Sequence, residues 1–274
     1  MILIGERING GFKDISQAVK EKDKTVLEKW AQKQAKAGAN YIDVNIGAIS
    51  NKIEDFLWMI ESVQAAVSTP ISIDCNKISF LKEALRICQK EPLINSTTAH
   101  DERLEQIIPL AIEHKASLIG VCMDEKGSPQ DANRRVELAA KILTAAIEKG
   151  LPTEKLFLDP VVMPLKFLQP QASHILEAIS QFKLLSEPSP HIVVGLSNIS
   201  SQTTEMKLIN RTFLVMAIGV GLDAAICEVT DTELVNAAIT AELVQNKHIY
   251  SDSFLKAYHT TSSSQAIQVP FPAG

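Results

Sequence analysis

Residues 117–160 read SLIGVCMDEKGSPQDANRRVELAAKILTAAIEKGLPTEKLFLDP and hold one complete strand–helix–strand unit. Ser117–Met123 is a short, mostly apolar run of strand length. Asp131 then stands where a helix N-cap belongs. Val136, Leu138, Ala139, Ile142, Leu143 and Ala146 recur at helical spacing and make one apolar face, and Gly150 follows, suited to the left-handed residue that closes a helix. Leu156–Pro160 is the next short apolar run.

The same unit repeats outward in both directions. Strand candidates are Ile2–Glu6, Tyr41–Ile46, Ile71–Cys75, Leu93–Thr97, Ser117–Met123, Leu156–Pro160, His191–Ser197 and Asp223–Val229. They begin 39, 30, 22, 24, 39, 35 and 32 residues apart, room for one helix in each gap. Asp23 caps the helix that contains Trp30, Gly38 closes it, and Phe213–Ile218 belong to another helix ahead of Gly219 and Gly221. Short, mostly apolar strands suit a parallel sheet buried on both faces. Eight such units in order predict a closed (β/α)8 barrel of the TIM type rather than an open doubly wound sheet. The nucleotide-binding members of the doubly wound class usually carry G-x-G-x-x-G after the first strand, and Gly5, Gly10 and Gly11 have the wrong spacing.

One domain accommodates the whole of this, because α/β barrels of about 250 residues routinely form one. The barrel is expected over residues 1–258, ending in a short helix over Ile249–Tyr258. The Thr/Ser-rich stretch 259–274 reads as a flexible C-terminal tail.

Of the 274 residues, 46% are hydrophobic and 22% charged, with a formal net charge of −5 and no basic stripe, which argues against nucleic acid as a partner. No apolar stretch approaches the ~18 residues of a membrane span, and no charged leader precedes the first strand, so a cytoplasmic setting is expected. Cys75, Cys88, Cys122 and Cys227 form no C-x-x-C pair and read as small buried side chains in a reducing compartment. The alternative for Cys75, Cys122 and Cys227 is a metal site, since all three fall near strand ends; burial is the preferred reading, and no metal is expected. Histidines 100, 114, 174, 191, 248 and 259 fall on helices, loops or strand starts, as surface or packing residues do.

Function is written in where the polar residues fall. Nearly every strand ends in a carboxylate, amide or hydroxyl: Glu6, Asp43 with Asn45, Asp74, Asn95 with Ser96, Asp159, Ser197 with Asn198, and Glu228. In a barrel these positions converge on the C-terminal mouth, where active sites lie. Any one of them is explained as an ordinary helix cap. As a set, acids with no lysine or arginine among them cannot satisfy one another at neutral pH, so they need hydrogen-bond donors from elsewhere. A ligand rich in N–H groups supplies them. A pterin ring is such a ligand, presenting an exocyclic amine and a ring N–H as parallel donors to one carboxylate. No G-x-S-x-G elbow, H-E-x-x-H zinc motif or Walker loop is present.

Taken in order, the segments IGERING (4–10), DVNIG (43–47), INST (94–97), LDP (158–160), GLSN (195–198), LINRTFL (208–214), GLDAAI (221–226) and DSF (252–254) resemble the methyltetrahydrofolate:corrinoid protein methyltransferases over nearly the whole chain. The resemblance implies that Asp74, Asn95 and Asp159 hold the pterin edge and that Gly195 and Ser197 shape the wall at the seventh strand. It implies that Asn198 sits beside N5 of the folate, with Ser201 and Gln202 as further loop contacts. It also implies a homodimer with no tightly bound cofactor, whose partner is a corrinoid protein carrying cobalamin. The setting it implies is one-carbon metabolism: the acetyl-CoA pathway, or the second methyltransferase of an O-demethylase or methylamine-type system. Asn198 is the expected catalytic donor to N5; no residue of near-neutral pKa is evident at the seventh strand, so no dedicated general acid is expected. In the acetogenic branch of the family a Gly-Pro follows the second-strand motif and a Gln stands three residues after the N5-contacting Asn; here Ala48 follows Gly47, and Ser201 precedes Gln202. Two alternatives share the fold. Dihydropteroate synthase would show Asn-x-Thr-x-Asp-Ser-Phe-Ser after its first strand, where this chain has Glu6–Gly11. A non-catalytic barrel subunit of a corrinoid protein has no need of Asp74, Asn95, Asp159 and Asn198 together.

Overall fold

In the computed structural model, which describes residues 1–264, eight parallel strands close into a barrel in sequence order. The strands are β1 (Ile2–Asn9), β2 (Tyr41–Asn45), β3 (Ile71–Asp74), β4 (Leu93–Thr98), β5 (Ser117–Val121), β6 (Leu156–Asp159), β7 (His191–Gly195) and β8 (Ala224–Cys227). Between them lie α1 (Lys13–Glu21), α2 (Lys24–Lys36), α3 (Ile53–Ala66), α4 (Ile78–Ile87), α5 (Asp101–Glu113), α6 (Ala132–Lys149), α7 (Leu165–Leu168), α8 (Gln171–Phe182) and α9 (Met206–Gly219), with α10 (Thr232–Val244) and α11 (Phe254–Ser264) after β8. The (β/α)8 barrel expected from the sequence is therefore the fold.

Local chemistry sets the boundaries. Asp23 accepts from the Thr25 N–H at 3.0 Å and starts α2; Asp131 accepts from the Arg134 N–H at 2.8 Å and starts α6. Gly150 ends α6 at φ +86°, a conformation that costs a side-chain-bearing residue about 1–2 kcal/mol. The first gap holds two helices where the spacing suggested one, because Lys22 turns left-handed at φ 57° and Asp23 begins a new helix. β7 stops at Gly195, short of the expected Ser197, because residues 196–198 tighten into a 3-10 turn. At the C-terminus helix α11 runs through Ser264, so the first residues of the stretch read as a tail are helical; residues 265–274 lie outside the described part.

Two apolar layers hold the barrel. The outer one lies between strands and helices; α6 contributes Leu138, Ala139, Ile142, Leu143 and Ala146, all buried, and each Leu or Ile adds about 1.5–3 kcal/mol. The inner one is a plug of Ile4, Leu93, Ile119, Phe157, Val193 and Ala224 that fills the barrel below its mouth. His191, at the start of β7, packs against Phe157 with ring centroids 4.7 Å apart and ring planes tilted by 33°. Cys75, Cys122 and Cys227 are buried and Cys88 half-buried, all as free thiols; among the described residues no group of three or more His, Cys, Asp or Glu has metal-binding geometry. No helix among them is long and apolar enough to cross a membrane.

Candidate active site

The strand register aligns the polar tips. Asn45 of β2 pairs with Asp74 of β3, and Asp74 pairs with Asn95 of β4, so three polar side chains stand in a row on adjacent strands. The Asn45 amide donates to Asp74 at 2.5 Å and accepts from the Gly47 N–H at 2.6 Å. One layer lower, Asp43 is 3% exposed; its Oδ1 accepts from Ser72 Oγ at 2.6 Å and from the Asn95 amide at 3.0 Å. Asp43 thus orients Asn95 from beneath. Arg103 of α5 ties the loop beyond β3 to β4, donating to the Asn76 and Ser96 carbonyls at 3.0 and 3.1 Å.

Two irregularities aim side chains at the mouth. The β1 register shifts between Gly5 and Ile8, and the β4 register shifts between Asn95 and Thr97. Bulges re-aim strand residues in this way next to active sites. At the β1 bulge the Arg7 N–H finds the side-chain oxygen of buried Gln34 at 3.0 Å. The preceding residue, Glu6, accepts a 2.6 Å hydrogen bond from Ser197 Oγ.

On the far side of the mouth, Asp159 ends β6 and accepts the Val161 N–H at 2.8 Å. Gly195 ends β7, and Leu196–Asn198 form the 3-10 turn beyond it. A Cβ on Gly195 would lie 2.9 Å from the Asn198 amide nitrogen, so glycine leaves space for that side chain to fold back over the strand end. Asn198 is exposed. The Ser201 N–H bonds the Asn198 carbonyl at 3.2 Å; Gln202 is exposed, sits at φ 62°, and its carbonyl accepts from Lys166 at 3.0 Å. Asp74, Asn95, Asp159, Gly195, Ser197 and Asn198 therefore all stand on one rim, while Ser201 and Gln202 belong to the loop outside it.

The electrostatics modify two expectations. The barrel supplies each acid with a donor of its own: Asn45 for Asp74, Ser72 and Asn95 for Asp43, Ser197 for Glu6, the Val161 N–H for Asp159, and the Thr230 hydroxyl for Glu228 at 2.5 Å. External donors are thus not needed for every acid, though the carboxylates retain lone pairs for a ligand. No group of near-neutral pKa comes from the seventh strand itself, but one from β1, Glu6, reaches the turn just beyond it. Burial, countered by the Ser197 bond and reinforced by the charge of Glu228, raises Glu6 from 4.5 to about 7. Burial raises Asp159 to about 6 against the pull of the Val161 N–H and Arg135. Burial and the Asp74 charge push Asp43 far up, and burial raises Asp74 as well. Such clusters of neutral-range acids in a cleft mark functional sites.

Glu6 was legible as a strand tip, but its role was not. The available signal was alternation: Ile2, Ile4 and Glu6 share one face of β1, so an acid follows two inward isoleucines. Its pairing with Ser197 depends on barrel closure and leaves no trace in local sequence.

Comparison with known proteins places this geometry. The sequence pattern of the pterin binding enzymes matches residues 5–228. The methylcorrinoid:tetrahydrofolate methyltransferase of Eubacterium limosum is 31% identical over 266 residues, covering 94% of this chain and 96% of that protein. The methionine synthase of Mycobacterium tuberculosis is 24% identical over 240 residues, where 82% of this chain matches only 20% of the larger protein. Among solved structures, the dihydropteroate synthases of Yersinia pestis (TM-score 0.63, 16% identity, covering 89% of this chain and 93% of that one) and Xanthomonas albilineans (0.65, 15%, 89% and 92%) share the fold. With the family pattern running from β1 to the end of β8, and one relative matched almost end to end, the chain belongs to the pterin binding enzymes.

Proposed function

We propose that this protein is a methyltransferase that moves a methyl group between N5 of 5-methyltetrahydrofolate and the cobalt of a corrinoid carried by a separate protein. The observation that carries the reading is the near full-length match to the Eubacterium limosum enzyme, whose name states this pair of substrates. The barrel mouth supports it, since acids and amides on β2, β3, β4 and β6 offer a pterin edge the acceptors it needs. The likeness to dihydropteroate synthases extends to the fold alone.

In this reading Asp74, Asn95 and Asp159 hold the pterin, with Asn95 fixed from below by Asp43. Gly195 and Ser197 form the wall that carries Asn198, and Asn198 directs its amide at N5. A methyl group leaves a tertiary amine with difficulty, because electron density builds on the nitrogen as the bond breaks. An amide donor already in place stabilises that charge, and orientation of the methyl toward the acceptor lowers the barrier further. The reduced corrinoid of the partner supplies the nucleophile as a substrate. In that direction N5 ends with a proton in place of the methyl, and Glu6, near neutral and bonded to Ser197, is the adjacent group able to hold one. The relative's name writes the transfer from corrinoid to tetrahydrofolate, and the same groups serve both directions.

The partner is a cobalamin-carrying protein that meets the open mouth. A homodimer is also part of the reading: Val215 and Met216 of α9 and Val244 of α10 are exposed apolar side chains that a second copy would cover. Light scattering at micromolar concentration tests it, with a monomer the contrary result. For the activity itself, the protein is mixed with methyltetrahydrofolate and free cob(I)alamin, and methylcobalamin is followed by absorbance. Methylcobalamin formed at a rate proportional to enzyme is expected; none above the uncatalysed background overturns the proposal.

A further inference from the structure

Among the described residues the largest wholly buried side chain is charged: Arg135, in the first turn of α6, is fully inaccessible, yet none of their carboxylates contacts its guanidinium. Its donors go to oxygen atoms of neutral groups: Nε to the Pro160 carbonyl at 2.8 Å, Nη1 to the Asp131 carbonyl at 3.0 Å, and Nη2 to Gln171 Oε1 at 2.9 Å and the Val161 carbonyl at 3.4 Å. Gln171 is itself fixed by the Gln130 carbonyl at 2.6 Å. A cation buried among dipoles is costly to keep, so the place it occupies calls for a reason.

Arg135 grips the two carbonyls that follow Asp159. Between them the chain does something unusual, since Val161 sits at φ +68°. A β-branched residue in the left-handed region persists only when its surroundings over-determine it. That conformation turns the Val161 N–H back onto Asp159 Oδ1 at 2.8 Å. The groups facing Asp159 are thus the Val161 N–H behind it, the Arg135 charge from α6, and the buried Cys122 thiol beyond β5; Asp131 is a further charge acting on Arg135.

We propose that Arg135 is a positioning residue for ligand binding: through Pro160 and Val161 it fixes the turn that presents the Asp159 carboxylate to the mouth, and its charge supports that carboxylate. This rests on the reading of Asp159 as a pterin-holding acid. Sequence periodicity contains the signal, because residues 135, 138, 139, 142 and 146 form one helical stripe and an arginine occupies its first position.

The test uses the full chain with R135M and R135K, each checked for folding by circular dichroism. The titration of Asp159 is followed by carboxyl-carbon NMR in ligand-free protein, and tetrahydrofolate affinity by fluorescence between pH 5 and 8. In the wild type, affinity falls as pH drops through about 6, the value raised by burial at Asp159. In R135M the Asp159 titration and the acid limb of binding both move to higher pH, and affinity at pH 7 drops by about tenfold or more. R135K keeps the charge, so its acid limb stays near that of the wild type while affinity falls; adding V161G, which accepts the left-handed turn without strain, restores part of it. An unchanged Asp159 titration in R135M overturns the proposal whether or not folate binds. An absence of folate binding to the wild type would sink the reading of Asp159 instead. If R135M does not fold, unchanged affinity in R135K is the overturning result.

Discussion

Ser197 Oγ donates a 2.6 Å hydrogen bond to the carboxylate of Glu6, joining residues 191 positions apart across the end of β8. The contact places an acid of near-neutral pKa beside the turn that carries Asn198. Substituting glutamine at position 6 keeps an oxygen acceptor for Ser197 and removes the titration. Methyl transfer from methyltetrahydrofolate should slow in the wild type as pH rises through about 7, where Glu6 loses its proton. In Glu6→Gln that limb should flatten. Initial rates from pH 6 to 8.5 decide it, and a mutant that retains the wild-type limb removes Glu6 from proton handling.

Asn198→Ala should lower methyl transfer by ~10²–10³ with only a modest loss of folate affinity, the usual consequence of deleting one preorganised donor. Single-turnover rates at saturating folate measure it. Wild-type rates in the mutant would refute the role.

Gly195→Ala reaches the same amide by another route. The added Cβ would come within 2.9 Å of the Asn198 amide nitrogen, the free end of a side chain that is able to swing aside. Melting temperature should therefore change little while transfer slows in the same sense as in Asn198→Ala. A large fall in melting temperature with normal specific activity would mean that the backbone, not the amide, absorbs the clash.

Asp159→Asn should weaken folate binding, because the amide presents only one acceptor oxygen to a pair of N–H donors. A loss of about tenfold or more is expected for a bond to a charged group. Titration of bound methyltetrahydrofolate reads it, and equal affinity would move the pterin edge elsewhere on the rim.

Stability carries a pH signature of the same acids. Glu6 and Asp159 titrate in the folded protein at about 7 and about 6, and Asp43 and Asp74 are also raised, so the native state binds more protons than the unfolded chain in that window. Their contribution is therefore greatest at low pH and is lost as pH rises through the folded values, at up to about 1.4 kcal/mol per pH unit for each group. Asp14, Asp55 and Asp124 are lowered by their hydrogen bonds and cationic partners and act oppositely, but only in more acidic solution. Melting temperature of the ligand-free protein should fall from pH 5.5 to pH 8. Asp43→Asn, which keeps an oxygen for Ser72 and Asn95, should reduce the fall by a few degrees; a flat profile in the wild type would contradict the whole set.

The strand starts were legible because short apolar runs at 22- to 39-residue spacing leave little choice of architecture. Strand ends were less so. Periodicity does not mark the point where residues 196–198 tighten into a turn or where β1 runs through a bulge to Asn9. The rim residues were legible by type, since polar groups at barrel strand ends share a destination. What those groups do to each other was not. The raised titration of Glu6 and the hold of Asp43 on Asn95 arise from burial and from contacts across strands. Arg135 was not legible as a buried residue because its charge disguises a core position.

The apolar plug formed by Ile4, Leu93, Ile119, Phe157, Val193 and Ala224 makes the mouth a room with a single door. In the proposed reaction folate and corrinoid would therefore have to approach from that one side, because the packed side chains leave no route through the barrel interior.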